Sequence, residues 1–157
     1  MALSNEEVQA FKDYLEDASP IPAKVNKEGQ HELDTSIRDA DVYYIEHEAE
    51  NLYEILQKIA KMVNLYFKYD LTGIEKAQIM HYKSPSNGYS YHIDLSASES
   101  EVSRKVSVSI LLNDDYEGGE IIIANKQFEP EKGSAIIFPS NFMYPHEVLK
   151  VTKGDRW

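Results

Sequence analysis

The run H-Y-K-S-P-S-N-G-Y-S-Y-H-I-D, residues 81–94, decides how this chain is read. The turn-forming S-P-S-N-G divides it, and apolar and polar residues alternate on both sides with the period of two that marks a half-buried strand. Working outward, the same period predicts strands at 77–83, 89–95, 105–112, 120–124, 134–138 and 147–152, separated by S-P-S-N-G, N-D-D-Y-E-G-G and P-E-K-G-S. Upstream the period lengthens. Ser4 and Glu7 have the form of a capping box, and Val8, Phe11 and Leu15 follow at helical spacing, predicting a helix over about 5–17. From Glu50, apolar residues at Leu52, Ile55, Leu56, Ile59, Val63 and Tyr66 predict an amphipathic helix of about twenty residues. Between the helices, 19–39 holds Pro20, Pro22, Gly29 and many charges without a period, and is expected to be a long irregular connection suited to a lid. Helices followed by six closely spaced strands predict a sandwich or barrel with the helices packed on one outer face.

The 157 residues are 42% hydrophobic, enough for one domain with a real core. Residues 1–70 are expected to be a helical and loop buttress and 71–157 the β core. Lys and Arg number 16 against 27 Asp and Glu, a net charge of -11 that argues against nucleic acid as a partner. The acidity is concentrated early: residues 1–50 hold 13 acids and 4 bases, leaving 14 and 12 for the rest. No cysteine is present, so thiolate metal sites and cysteine nucleophiles drop out and any metal must be held by nitrogen and oxygen. No stretch approaches the ~20 apolar residues of a membrane span. A cytoplasmic monomer or weak dimer is the default expectation.

On a strand, His92 and Asp94 share one face while Tyr91, Ile93 and Leu95 share the other, so the pair could grip one ion. A half-solvated strand shows the same alternation, and a His-x-Asp triplet alone is weak. His146, between a run ending at Pro139 and one starting near Val148, can supply a third ligand from a neighbouring strand. Two histidines and a carboxylate on one side of an ion form the facial arrangement of non-haem Fe(II) oxygenases, and zinc hydrolases use a similar set. Arg156 distinguishes these. Ten residues after His146, it would project into a barrel, where a guanidinium needs an anion such as the far end of a dicarboxylate co-substrate. Taken singly, an arginine near a chain end is more often at the surface.

Together these segments resemble the Fe(II)- and 2-oxoglutarate-dependent dioxygenases, in particular the prolyl 4-hydroxylase-like branch. The resemblance is carried by residues 81–94, by S-I-L-L-N-D-D-Y-E-G-G-E-I (109–121) and by G-S-A-I-I-F-P-S-N-F-M-Y-P-H-E-V-L-K-V-T-K-G-D-R-W (133–157), segments distributed in order over 81–157, about half the chain. It implies a double-stranded β-helix (jelly roll, cupin-like), mainly β with N-terminal helices packed on one sheet. It also implies that His92, Asp94 and His146 ligate Fe(II), with 2-oxoglutarate and O2 as co-substrates and ascorbate as a candidate reductant. Arg156 would bind the distal carboxylate of 2-oxoglutarate, and Tyr82 would match a family tyrosine that bonds the co-substrate, though a plain core aromatic reads equally well. Gly118 and Gly119 would be turn glycines beside the barrel, since no helix follows them to make a phosphate cradle. Two departures stand out: Leu111 occupies a position where several relatives carry a carboxylate-binding tyrosine, and relatives usually continue for several residues beyond the arginine, so either the sequence is cut short after Trp157 or the barrel closes unusually there. The implied activity is hydroxylation of an unactivated C–H bond, most readily of a prolyl residue in a peptide or protein, with release of succinate and CO2. Hydroxylation of a small molecule such as a free amino acid, or a non-catalytic jelly-roll binding module, are the alternatives.

Overall fold

The computed structural model describes residues 3–27, 30–94 and 104–157. In chain order the elements are α1 (Asn5–Asp17), β1 (Ile21–Pro22), β2 (Val25–Lys27), β3 (Gln30–Glu32), β4 (Arg38–Asp39), β5 (Asp41–Tyr44), α2 (Glu50–Phe67), β6 (Gln78–Lys83), β7 (Gly88–His92) and β8 (Val106–Ile110). They continue with β9 (Glu117–Gly118), β10 (Ile121–Ile123), β11 (Lys126–Phe128), β12 (Ala135–Pro139), β13 (His146–Val148), β14 (Val151–Lys153) and β15 (Asp155–Arg156).

All strand pairing is antiparallel. One sheet runs β1-β5-β6-β15 and a second runs β11-β10-β13-β7-β4, with β12-β8, β14-β9 and β2-β3 as separate ladders. Leu112 N donates to Trp157 O at 3.1 Å, which ties the end of β15 to the residues leaving β8. The alternation along each strand separates two cores. Ile79 of β6, Ile137 of β12 and Leu112 turn to the helices, where Val8 and Phe11 of α1 and Leu52, Ile55, Ile59 and Val63 of α2 are buried. Leu111, Ile121, Ile123, Phe138 and Ile136 form the second cluster, between β12 and β10. Adjacent Leu111 and Leu112 thus serve opposite sides of one layer. The helices cover the outer face and leave the inner face to the site. This is the expected mainly-β jelly roll with two flanking helices.

The helix at the N-terminus follows its sequence signals. Ser4 Oγ accepts from Glu7 N at 3.1 Å and Glu7 Oε2 accepts from Ser4 N at 3.0 Å, satisfying two otherwise orphaned donors. Tyr66 departs from expectation. It lies near the end of α2, 80% exposed, because the apolar stripe leaves the contact surface after Val63.

Four corrections concern the strands. The stretch 19–39 is not an irregular connection: it contributes β1 to β5, β4 to β7 and the β2–β3 hairpin. Strands of two or three residues are too short to show a period, and Pro22 is tolerated because β1 is an edge. Residues 1–70 therefore supply sheet as well as buttress, including β5, which pairs with β6. The expected strand 147–152 is two strands, with a register shift between His146 and Val148. Finally, β7 stops at His92, so Asp94 lies beyond the strand; Leu95, like Gly29, lies outside the described residues. No helix among the described residues is long and apolar enough to cross a membrane.

Candidate metal centre

The β13–β7 register makes His146 the Cα partner of His92. Facing partners on adjacent strands point the same way, so two imidazoles from distant parts of the chain stand with ring centroids 4.1 Å apart. Just past the end of β7, Asp94 turns back towards both. Its Oδ1 lies 3.8 Å from His92 Nε2, and its Oδ2 3.5 Å from His146 Nε2. One ligand atom from each of the three falls within 4.8 Å of the others. Cis ligands bound at ~2.1 Å to one ion stand about 3 Å apart, so small side-chain rotations bring these donors to a shared ion.

Tautomer and charge suit that use. His92 Nδ1 lies 2.7 Å from Ser90 O and His146 Nδ1 3.2 Å from Tyr144 O. A carbonyl only accepts, so each Nδ1 carries the hydrogen and each Nε2 keeps its lone pair for the centre. Burial, reinforced by the neighbouring His146, pushes His92 down to about 4, leaving it neutral at pH 7. Asp94 is held by Ser107 Oγ, which donates to Oδ2 at 2.5 Å, while Ser107 and Ser140 hydroxyls stand 2.7 Å apart. With its own proton committed to Asp94, Ser107 accepts from Ser140. Two imidazoles and one carboxylate on one side of a point are the donor set of a facial non-haem iron site.

Arg156 is not at the surface. It is 4% exposed on β15, whose register partner at that point is Tyr82 of β6, itself 3% exposed. The guanidinium carbon lies 5.2 Å from the Tyr82 ring centroid and 5.9 Å from that of Tyr116. Its Nε is buried without a hydrogen-bond partner. Among the described residues Arg156 has no ion pair, so a buried cation faces the interior with donors unspent, a fit for an incoming carboxylate. Burial raises the Tyr82 hydroxyl above its usual value, opposed by the charges of Arg156 and Arg38.

Close packing brings Arg156 this far in. Gly119 has φ +69°, and a Cβ there would meet Arg156 Cδ at 2.7 Å. Gly118, at φ +80°, would meet Lys150 O at 2.2 Å. Gly118 is not the expected turn residue: it ends β9 and pairs with Val151, and Gly119 follows directly, both set against the barrel wall. Asn113 holds β15 in place: its Nδ2 donates to Asp155 O at 2.7 Å and its Oδ1 accepts from Trp157 N at 2.8 Å.

Sequence reading brought His92, Asp94, His146, Arg156 and Tyr82 forward, and the fold gathers all five on the inner face. It missed Ser107 and Ser140, which read as the polar side of ordinary strands, and Tyr116. It also missed Tyr89, whose ring stacks on His92 with centroids 3.6 Å apart.

The family model described as the 2OG-Fe(II) oxygenase superfamily matches residues 77–157, 81 of the 157. Among curated proteins, a PKHD-type hydroxylase of Prochlorococcus marinus (strain AS9601) is 37% identical over 86 residues, covering 50% of this chain and 37% of that protein. One from Alteromonas mediterranea is 36% identical over 84 residues, covering 46% and 36%. The chain therefore spans little more than a third of the length of these relatives. Among solved structures, the viral collagen prolyl hydroxylase of Paramecium Bursaria Chlorella virus-1 superposes with a TM-score of 0.73 at 20% identity, over 98% of this chain and 87% of that one. A Pseudomonas putida prolyl-4-hydroxylase gives 0.67 at 22% identity, over 99% and 86%. A Trichoplax adhaerens prolyl hydroxylase, solved with a peptide fragment of the hypoxia inducible factor oxygen degradation domain, gives 0.71 at 20% identity, over 97% and 74%.

Proposed function

Because the chain belongs to the 2OG-Fe(II) oxygenase superfamily, we propose that it is a dioxygenase that hydroxylates an unactivated C–H bond, with a prolyl residue of a peptide or protein as target. The observation that carries this reading is the convergence of His92, Asp94 and His146 on one inner face that also presents the buried, unpaired Arg156. Residues 1–157 act as one domain in this reading. Iron, with 2-oxoglutarate and O2, would supply the oxidising chemistry, coupling release of succinate and CO2 to insertion of one oxygen atom into the target.

The chain's own residues position and shield. His92 and His146 offer Nε2 to the metal, held in that tautomer by Ser90 O and Tyr144 O. Asp94 adds one negative charge, fixed by Ser107. Arg156 takes the distal carboxylate of 2-oxoglutarate in a paired hydrogen bond, and Tyr82 walls that end of the pocket and keeps water from the guanidinium. The prolyl preference is supported by the fold shared with the prolyl hydroxylases above. Leu111 packs into the inner apolar cluster, so carboxylate binding rests on Arg156 without help from that position.

Anaerobic titration with Fe(II) and 2-oxoglutarate tests the site. A visible charge-transfer band is expected in the wild type and absent in Asp94→Ala, and no band in folded wild type would sink the reading. Arg156→Ala should raise the 2-oxoglutarate requirement far more than it weakens metal binding. Succinate release with prolyl peptides, and with free amino acids in their place, separates a peptide target from a small one.

A further inference from the structure

A second arginine opens on the same interior. Arg38 lies on β4, where its register partner is Tyr89 of β7. Its guanidinium carbon stands 4.8 Å over the Tyr89 ring, and that ring is stacked on His92. The other neighbours are Gln78 and Met80 of β6, on the same face of that strand as Tyr82. Arg38 is therefore directed to the inner face, close to a metal-ligand histidine.

Its hydrogen bonding is incomplete. Nη1 reaches Lys24 O at 3.4 Å and Nη2 reaches Gln78 Oε1 at 3.5 Å, both at the outer limit, with Met80 Sδ at 3.1 Å from Nη2. Nε is buried without a hydrogen-bond partner. Among the described residues no carboxylate pairs with Arg38, and the adjacent Asp39 is engaged elsewhere, its Oδ2 accepting from Asn87 N at 2.7 Å. The surrounding acceptors are neutral, and Arg38 is half-buried with its Nε enclosed and unpartnered, so a full negative charge would satisfy its donors better than the neutral groups present.

The co-substrate does not meet this need. In the function proposed above, its two ends are taken by the metal and Arg156. Arg38 stands beside Met80 and Gln78, two and four residues from Tyr82, roughly 7–13 Å along the strand. Resting on that function, we propose that Arg38 binds a carboxylate carried by the molecule to be hydroxylated. Two sources share this chemistry: the free α-carboxylate of an amino acid or chain terminus, and an acidic side chain next to the target in a peptide.

Protein loaded anaerobically with Fe(II) and 2-oxoglutarate is titrated calorimetrically with two matched pairs of probes. One pair is L-proline and L-prolinamide; the other is acetylated, amidated Gly-Glu-Pro-Gly and Gly-Gln-Pro-Gly. In at least one pair the carboxylate member is expected to bind the wild type about 10- to 100-fold more tightly than its neutral partner, as a charge-assisted pair implies. The pair that responds identifies the source. Arg38→Gln should erase that preference, Arg38→Lys should keep part of it, and both should bind 2-oxoglutarate within about twofold of wild type. The inference is overturned if the band forms and neither pair shows a preference, or if the preference survives Arg38→Gln. It is equally overturned if Arg38→Gln weakens 2-oxoglutarate as much as the probes. A preference dependent on Arg38 in a protein that forms no band would uphold the carboxylate site while removing the enzymatic reading.

Discussion

Replacing Ser107 by alanine should loosen the metal without touching a ligand. The hydroxyl donates to Asp94 Oδ2 at 2.5 Å and is itself supported by Ser140 at 2.7 Å, so its loss frees the carboxylate to rotate away from the two imidazoles. A hydrogen bond to a charged group contributes about 1.5–3 kcal/mol. At about 1.4 kcal/mol per decade that is roughly a 10- to 100-fold loss of metal affinity, the range typical when a partner that orients a metal ligand is removed. The assay is anaerobic calorimetric titration with Fe(II), followed by 2-oxoglutarate at saturating metal. The second affinity should change less than about threefold, because Arg156 and Tyr82 lie on other strands and Tyr116 lies just ahead of β9. Ser107→Thr, which keeps the hydroxyl, should recover most of the metal affinity. Metal binding within twofold of wild type in Ser107→Ala, or equal losses in the alanine and threonine variants, would refute the positioning role.

Three further outcomes follow from the packing. Gly119→Ala must accept φ +69° and place a methyl 2.7 Å from Arg156 Cδ; it should weaken 2-oxoglutarate binding several-fold and cost about 1–3 kcal/mol in denaturant unfolding. Asn113→Ala removes the bonds to Asp155 O and Trp157 N that hold β15; a loss of about 2–4 kcal/mol is expected for two buried bonds, read as a lower urea midpoint with an unchanged slope. On α2, Ile59→Ala should cost about 2–5 kcal/mol, whereas Tyr66→Ser, at an 80% exposed position, should stay within about 0.5 kcal/mol.

Local chemistry explains what could be read in advance. The capping box of Ser4 and Glu7 and the 3.6-residue stripe of α2 are encoded within a few residues of where they act, so both helices follow from the sequence. The central strands announce themselves by alternation because one face is wet and the other dry. Short edge strands carry no such signal: β1 and β4 exist because β5 and β7 offer unpaired edges, and that offer comes from elsewhere in the fold.

The site divides in the same way. Residue type and spacing were enough to nominate His92, Asp94, His146 and Arg156, since few side chains can bind a cation or a carboxylate and the cysteine-free chain narrows the set further. The convergence of those residues was decided by the register of β13 on β7, by the turn that brings Asp94 back after the strand has ended, and by the glycine that admits the arginine stem. The roles of Ser107, Tyr89 and Arg38 had no sequence signature. A serine on an alternating strand, or an arginine in a charged stretch, looks like solvated surface until another segment closes over it. The sequence by itself determined which groups could do chemistry; the tertiary structure decided which of them are deprived of water and of partners, because desolvation depends on what packs around a side chain and not on its neighbours in the chain.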